Sequence, residues 1–211
     1  MRPAVFVDRD GTLIREAGYL KDPDGVELLA GAVAGLAALR AAGYALVVTS
    51  NQSGVARGYF SEDTVRQVNG RMRELLASQN ADVDAVYYCP HYPQGSVPEY
   101  TRACDCRKPA PGMILTAAKE LKLDLEHSWV VGDKDADITF GKNAGLKAVL
   151  VLTGYGTQTQ SAGFKSGQEP DVVSPDLAAA AQAIIRFSRE PGAPKRWGLK
   201  RKPLPGTQGN E

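Results

Sequence analysis

Short apolar runs alternate with helical patterns along this chain. Ala4 to Val7 is a continuous β-branched and aromatic run, which predicts a buried strand. Val33, Leu36, Ala37 and Leu39 recur at helical spacing between Ala32 and Ala42, and Gly43 is placed to stop that helix. Ala45 to Thr49 predicts the next buried strand. Ser61 is a capping residue for a helix running to about Ser78, with Val65, Val68, Met72, Leu75 and Leu76 on one stripe. Ala85 to Tyr88 predicts a third strand, followed by an irregular stretch carrying Pro90, Pro93, Gly95 and Pro98. Pro111 suits the first turn of a helix that ends near Leu121. Trp129 to Val131, Ala148 to Leu152 and Asp171 to Val173 predict three more strands. A short helix falls after the first of these, and a last helix runs from Asp176 to about Phe187. Strands alternating with helices predict an α/β fold of three layers, with a mainly parallel sheet covered on both faces.

The segment from Glu190 to Glu211 differs, with four prolines and the basic residues Lys195, Arg196, Lys200, Arg201 and Lys202. It reads as a flexible basic tail on a single domain spanning residues 1–189. A solvated terminus is the simpler reading of that tail than a partner-binding arm. With a formal net charge of +1, the chain has no global field favouring nucleic acid or an anionic membrane. No apolar run approaches the roughly 20 residues that cross a bilayer, and Asp8 ends the first run too early for a signal peptide. The expected location is the cytoplasm. Nothing in the sequence marks a face for self-association, so a monomer is the expectation.

Candidate chemistry sits at the ends of the strands. Asp8-Arg9-Asp10-Gly11-Thr12 directly follows the first run. Side chains two apart on a strand share a face, so both carboxylates could project from its C-terminal end, where ligands of open parallel sheets bind. Adjacent carboxylates either raise one pKa or recruit a cation, and magnesium with oxygen ligands fits. A calcium loop is the poorer reading, because Thr12 stands where a third ligand is needed. Taken alone the motif could also be a turn with solvated aspartates. Thr49-Ser50-Asn51-Gln52-Ser53-Gly54 ends the second strand with groups that can grip phosphate oxygens, though these are ordinary turn residues too. Arg107-Lys108-Pro109 places two cations at a helix N-terminus, either an anion site or a solvated basic turn. Gly132-Asp133-Lys134-Asp135-Ala136-Asp137 puts more carboxylates after the fourth strand; one could complete a magnesium sphere, or they could simply favour a helix start.

The chain has three cysteines, all between residues 89 and 106. Cys89 and His91, with Cys104 and Cys106, supply three sulfurs and one imidazole, a closed tetrahedral set for structural zinc. Reduced structural cysteines, or one disulfide with a thiol left over, are the competing readings. His127 is given no partner and no role.

In order, these four strand-end motifs resemble the haloacid dehalogenase (HAD) superfamily over roughly residues 4 to 153. The resemblance implies a HAD-like Rossmannoid fold without a large cap domain. It also implies a magnesium-dependent phosphatase in which Asp8 is the nucleophile and Asp10 the acid and base. Magnesium would be held by Asp8, Asp133 and the backbone carbonyl of Asp10, with Lys134 adjacent. Ser50 and Lys108 would stabilise the transferring phosphoryl group. The loop from Tyr88 to Pro109, with Asn51 to Gly58 and Gly18-Tyr19, is similar to the zinc-bearing D-glycero-D-manno-heptose 1,7-bisphosphate phosphatases; histidinol-phosphate phosphatases share a related zinc loop. That narrower resemblance implies substrate contacts from Glu16, Ala17, Gly18, Tyr19, Ser50, Asn51, Gln52, Ser53, Arg107 and Lys108. It implies removal of a sugar C7 phosphate in ADP-heptose and lipopolysaccharide synthesis. Tyr92 stands where the family commonly has a second histidine, and Ser50 where it commonly has threonine. The alternatives are a histidinol-phosphate or other small-metabolite phosphatase and, more remotely, a silent phosphate-binding scaffold.

Overall fold

The computed structural model describes residues 1–188, so the predicted tail lies outside the described residues. Six strands form one parallel sheet: β1 (Arg2–Asp8), β2 (Ala45–Asn51), β3 (Ala85–Cys89), β4 (Leu123–Gly132), β5 (Lys147–Val151) and β6 (Val172–Ser174). Six helices accompany them: α1 (Ala32–Ala41), α2 (Glu62–Ala77), α3 (Gly112–Leu121), α4 (Asp135–Asn143), α5 (Gly156–Ala162) and α6 (Leu177–Phe187). Among the described residues no helix is long and apolar enough to cross a membrane.

The period of two along each strand divides the core. Val5, Val7, Leu46, Val48, Trp129 and Val131 face one layer with Leu36 and Leu39 of α1, Val68 and Met72 of α2, and Ile184 of α6. Ala4, Phe6, Ala45, Val47 and Val130 face the other with Met113, Ile114 and Ala117 of α3 and Phe140 of α4. Buried on both faces, the strands read as unbroken apolar runs rather than alternating ones.

Strand order is β3-β2-β1-β4-β5-β6. The chain builds outward from β1 through β2 to β3, then returns to the other side of β1 with β4. The crevice beyond the C-terminal ends of β1 and β4 is therefore the switch point where ligands of such sheets bind. Asp8 is the last residue of β1, and Asp133 directly follows β4.

Two elements depart from the expected pattern. β4 starts six residues earlier than Trp129, because Leu123 and Asp124 already pair with Arg2 and Pro3 of β1, ahead of a mixed stretch that shows no continuous apolar run. The register slips between Pro3 and Val5, and Ser128 Oγ accepts from the Ala4 amide at 2.8 Å, replacing a ladder partner. The second departure, α5, is polar along most of its length and has no apolar stripe to announce it.

Candidate active site

The site begins with a sharp exit from β1. Gly11 adopts φ +90°, and a Cβ there would overlap the Asp133 carboxylate. Gly154 (φ +53°) crowds the same carboxylate from the loop after β5. Two missing side chains thus let Asp133 lie fully buried between the turns after β1 and β5. The Tyr155 amide donates to Asp133 Oδ2 at 2.8 Å, while the buried Oδ1 has no hydrogen-bond partner.

Lys108 is the hub. Its ammonium donates at 2.7 Å to Asp8 Oδ1, Asp137 Oδ1 and the Thr49 carbonyl, which uses all three of its protons. Asn51 holds the backbone in place: its Oδ1 accepts from the Lys108 amide at 3.0 Å and its Nδ2 donates to the Lys108 carbonyl at 3.1 Å. Burial alone would lower the Lys108 pKa, but the Asp137 and Asp8 charges outweigh it and raise it. Lys134 Nζ bonds Glu16 Oε2 at 2.7 Å and stands 4.0 Å from Asp133 Oδ1. Its pKa is also raised, with burial again opposing and Asp133 and Asp8 prevailing.

The carboxylates are short of positive charge. Burial, then the neighbouring Asp137, pushes Asp8 up to about 8, despite Lys108. The same two causes push Asp133 up to about 6. Oxygens of Asp8, Asp133 and Asp137 lie within 4.8 Å of one another. Three buried acids against two lysines, with one carboxylate oxygen lacking any partner, form a donor set that fits a hard divalent cation with oxygen ligands.

Asp10 lies apart from that trio. Arg9 grips its carboxylate, with Nε at 3.2 and 3.1 Å from the two oxygens and the terminal Nη2 at 3.0 Å from Oδ1. Ser50 Oγ (3.2 Å) and Gln52 Nε2 (2.9 Å) donate to Oδ2. Asp8, Asp10, Ser50, Asn51, Lys108, Lys134, Ala136 and Asp137 line a single open cavity.

Most of the residues expected from the sequence therefore converge, but several take different places. Asp10 does not contribute its carboxylate to the acidic cluster; Asp137, which had no assigned role, does. Asp137 also accepts from the Lys134 amide at 3.1 Å, so it fastens α4 as well as Lys108. Its position four after Asp133, in the first turn of α4, was the signal available. Of the expected substrate contacts, Glu16, Ala17, Gly18, Tyr19, Gln52, Ser53 and Arg107 do not line the cavity. The Glu16 carboxylate ties down the loop of Ala17 to Tyr19, accepting from Gly18 N at 2.8 Å. Tyr19 meets Tyr59 edge to face, with ring centroids 4.7 Å apart. Arg107 lies against the Tyr92 ring at 5.1 Å, and Arg57 covers the same ring at 4.0 Å. His127, expected to stand alone, places Nδ1 2.8 Å from Asp124 Oδ2.

The sulfur cluster forms as its spacing suggested. The three thiols are free, with Sγ atoms 3.0 to 3.5 Å apart, and His91 Nδ1 lies 3.3 Å from Cys106 Sγ and 3.7 Å from Cys89 Sγ. No disulfide joins them. Burial, together with the neighbouring Cys106 thiol, drives the Cys89 pKa upward, so its ionised form needs a nearby cation. Three thiols and an imidazole closing on one point suit a four-coordinate zinc. The chain passes from Cys106 straight to Arg107 and Lys108, so this cluster anchors one wall of the cavity.

Comparison with known proteins matches this architecture. The HAD-hydrolase-like family model covers residues 105–180. A D-glycero-beta-D-manno-heptose-1,7-bisphosphate 7-phosphatase of Pasteurella multocida is 49% identical over 73% of this chain and 84% of its own length. That of Escherichia coli K12 is 46% identical over 72% of this chain and 80% of its own. A D-glycero-D-manno-heptose-1,7-bisphosphate 7-phosphatase of Thermosynechococcus vestitus is 42% identical over 87% and 95%. The solved D,D-heptose 1,7-bisphosphate phosphatase of B. bronchiseptica, complexed with magnesium and phosphate, superposes with a TM-score of 0.77. It is 34% identical, over 89% of this chain and 99% of that one.

Proposed function

The chain belongs to the D-glycero-D-manno-heptose-1,7-bisphosphate 7-phosphatases among the HAD-like hydrolases, and from that premise we infer how its own residues remove the C7 phosphate. The observation that carries the reading is the Lys108 ammonium bridging Asp8 and Asp137 beside Asp133, at the switch point of the sheet.

In the first step an Asp8 oxygen bonds to phosphorus as the bond to the sugar oxygen breaks. Asp10 gives its proton to that departing oxygen. In the second step Asp10 takes a proton from water, the water oxygen attacks phosphorus, and the bond to Asp8 breaks to release phosphate. Asp8, Asp133 and the Asp10 backbone carbonyl are the groups that would hold magnesium, with Lys134 adjacent and Asp137 completing the acidic wall. When bound, the ion supplies positive charge that offsets the carboxylates and the phosphoryl oxygens. Lys108 and Ser50 line the cavity, and in this reading they stabilise the charge that develops on the equatorial oxygens.

Of the substrate contacts assigned to Glu16 through Tyr19, Ser50 through Ser53, Arg107 and Lys108, the reading keeps Ser50, Asn51 and Lys108 at the reacting phosphate and gives Arg107, beside Tyr92, to the rest of the sugar. Arg57 and Arg107 against one tyrosine ring put two guanidiniums near each other, and none of the ion pairs among the described residues involves either. Paired cations suit a second phosphate on the same sugar. Zinc on Cys89, His91, Cys104 and Cys106 would be structural, since the four donors leave no open position. Unpaired thiols in a metal set suit a reducing compartment, and the reading extends to a cytoplasmic monomer in ADP-heptose supply for lipopolysaccharide.

The test is kcat/KM for both anomers of the heptose 1,7-bisphosphate against histidinol phosphate. The bisphosphate is expected to win. A preference for histidinol phosphate greater than about tenfold would overturn the substrate assignment.

A further inference from the structure

Arg9 is the bulkiest fully buried side chain among the described residues, only 1% exposed. A guanidinium in a core is costly, and an apolar residue of similar volume is often as good or better for stability. Its one ion pair among the described residues is with Asp10. The remaining terminal nitrogen donates to Asn69 Oδ1 at 2.7 Å. Asn69 is itself out of character. It lies inside α2, 7% exposed, on the stripe that otherwise carries Val65, Val68, Met72 and Leu76. Asparagine is a poor helix former and a costly core residue unless satisfied. Two unfavourable choices from distant parts of the chain thus meet through one hydrogen bond, and both serve the orientation of the Asp10 carboxylate.

We propose that Arg9, braced by Asn69, is the positioning residue that sets Asp10 for proton transfer to the leaving sugar oxygen. This rests on Asp10 being the acid and base of the reaction. Without Arg9 the carboxylate at the edge of the cavity would be held through one oxygen alone. Arg9 grips both oxygens from the protein side while Ser50 and Gln52 fix Oδ2. The rotamer that remains presents Asp10 to the cavity it lines. Arg9 touches no reacting atom in this role. Misplacement by about 1 Å can cost a proton transfer on the order of 100-fold.

The test separates proton transfer from folding by changing the leaving group. kcat/KM is measured on one preparation for the sugar bisphosphate, whose alkoxide needs a proton to depart, and for p-nitrophenyl phosphate, whose phenolate does not. The ratio of the two is independent of how much protein is folded. Wild type is compared with Arg9→Met, Arg9→Lys, Asn69→Leu and Asp10→Asn. Arg9→Met is expected to lose about tenfold or more on the sugar ester and little on the nitrophenyl ester. Asn69→Leu should shift the ratio the same way by less, and Arg9→Lys should recover part of it. If Asp10→Asn shifts the ratio and the Arg9 and Asn69 variants do not, the positioning role is wrong while the acid–base assignment stands. If Asp10→Asn itself leaves the ratio unchanged, both fall. Should Arg9→Met not accumulate as folded protein, Arg9→Lys and Asn69→Leu carry the comparison, and an unchanged ratio in both overturns the proposal.

Discussion

Asp8 and Asp133 occupy positions where ionisation is opposed, and that opposition makes the site hungry for a cation. An acid whose folded pKa stands above its ordinary value binds more protons folded than unfolded. Its contribution to stability is therefore lost as pH rises from the ordinary value, 3.8, through about 6 for Asp133 and about 8 for Asp8. A bound divalent cation should cancel that loss. Magnesium is expected to raise Tm more at about pH 8 than at about pH 5, measured by thermal melts with zinc present throughout. A magnesium shift independent of pH would contradict this. Asp8, Asp10, Asp133 and Lys108 were legible in the sequence because each follows a strand within a short local motif. Asp137, Arg9 and Asn69 were not singled out. Asp137 stood in a quoted motif, but its partner Lys108 is 29 residues away, and Arg9 meets Asn69 across 60 residues with no local pattern to announce the contact.

At the scale of elements, the strands and most helices were legible because burial on both sheet faces writes itself as apolar runs. The cap of α2 was legible for the same local reason: Ser61 Oγ accepts from the Thr64 amide at 3.2 Å. Ser61→Ala should lower stability by about 1 kcal/mol in chemical denaturation, and no measurable loss would remove that cap from the account. The start of β4 and the whole of α5 were illegible: residues 123–128 of β4 mix two leucines with polar residues and form no continuous run, and α5 is polar along most of its length. The zinc loop adds a prediction of its own. Arg102 Nη2 stands 2.7 Å from His91 Nε2, so it donates to that nitrogen's lone pair. His91 can offer Nδ1 to a metal only with its proton on Nε2, where Arg102 has nothing to bond. Arg102→Ala should therefore cost far less than the roughly 10- to 100-fold in zinc affinity that removal of a supporting partner costs, measured by competition with a chelator. A loss of that size would show that Arg102 supports the bound state.

For the whole molecule, strand order decides where chemistry can occur. The reversal between β1 and β4 opens the crevice, and motifs from positions 8, 50, 108 and 133 close around it although they are distant along the chain. Among the described residues no large inserted domain covers this edge, and turns and the sulfur-pinned loop shape the entrance. Deleting residues 191–211 is expected to leave kcat unchanged, because the groups assigned to the reaction above, Asp8, Asp10, Ser50, Lys108 and Asp133, all lie among the described residues and converge there without that segment. A large fall in kcat would give that segment a part in turnover. The account as a whole depends on Asp8 carrying the phosphoryl group. Trapping it is the most direct test: Asp10→Asn, which lacks the base for the second step, is incubated with magnesium and p-nitrophenyl phosphate, whose leaving group needs no proton in the first step, then quenched in acid, reduced with borohydride and mapped by peptide mass spectrometry. A mark on Asp8 that disappears without magnesium is the result expected. A mark on another residue, or undiminished turnover by Asp8→Asn, would contradict it.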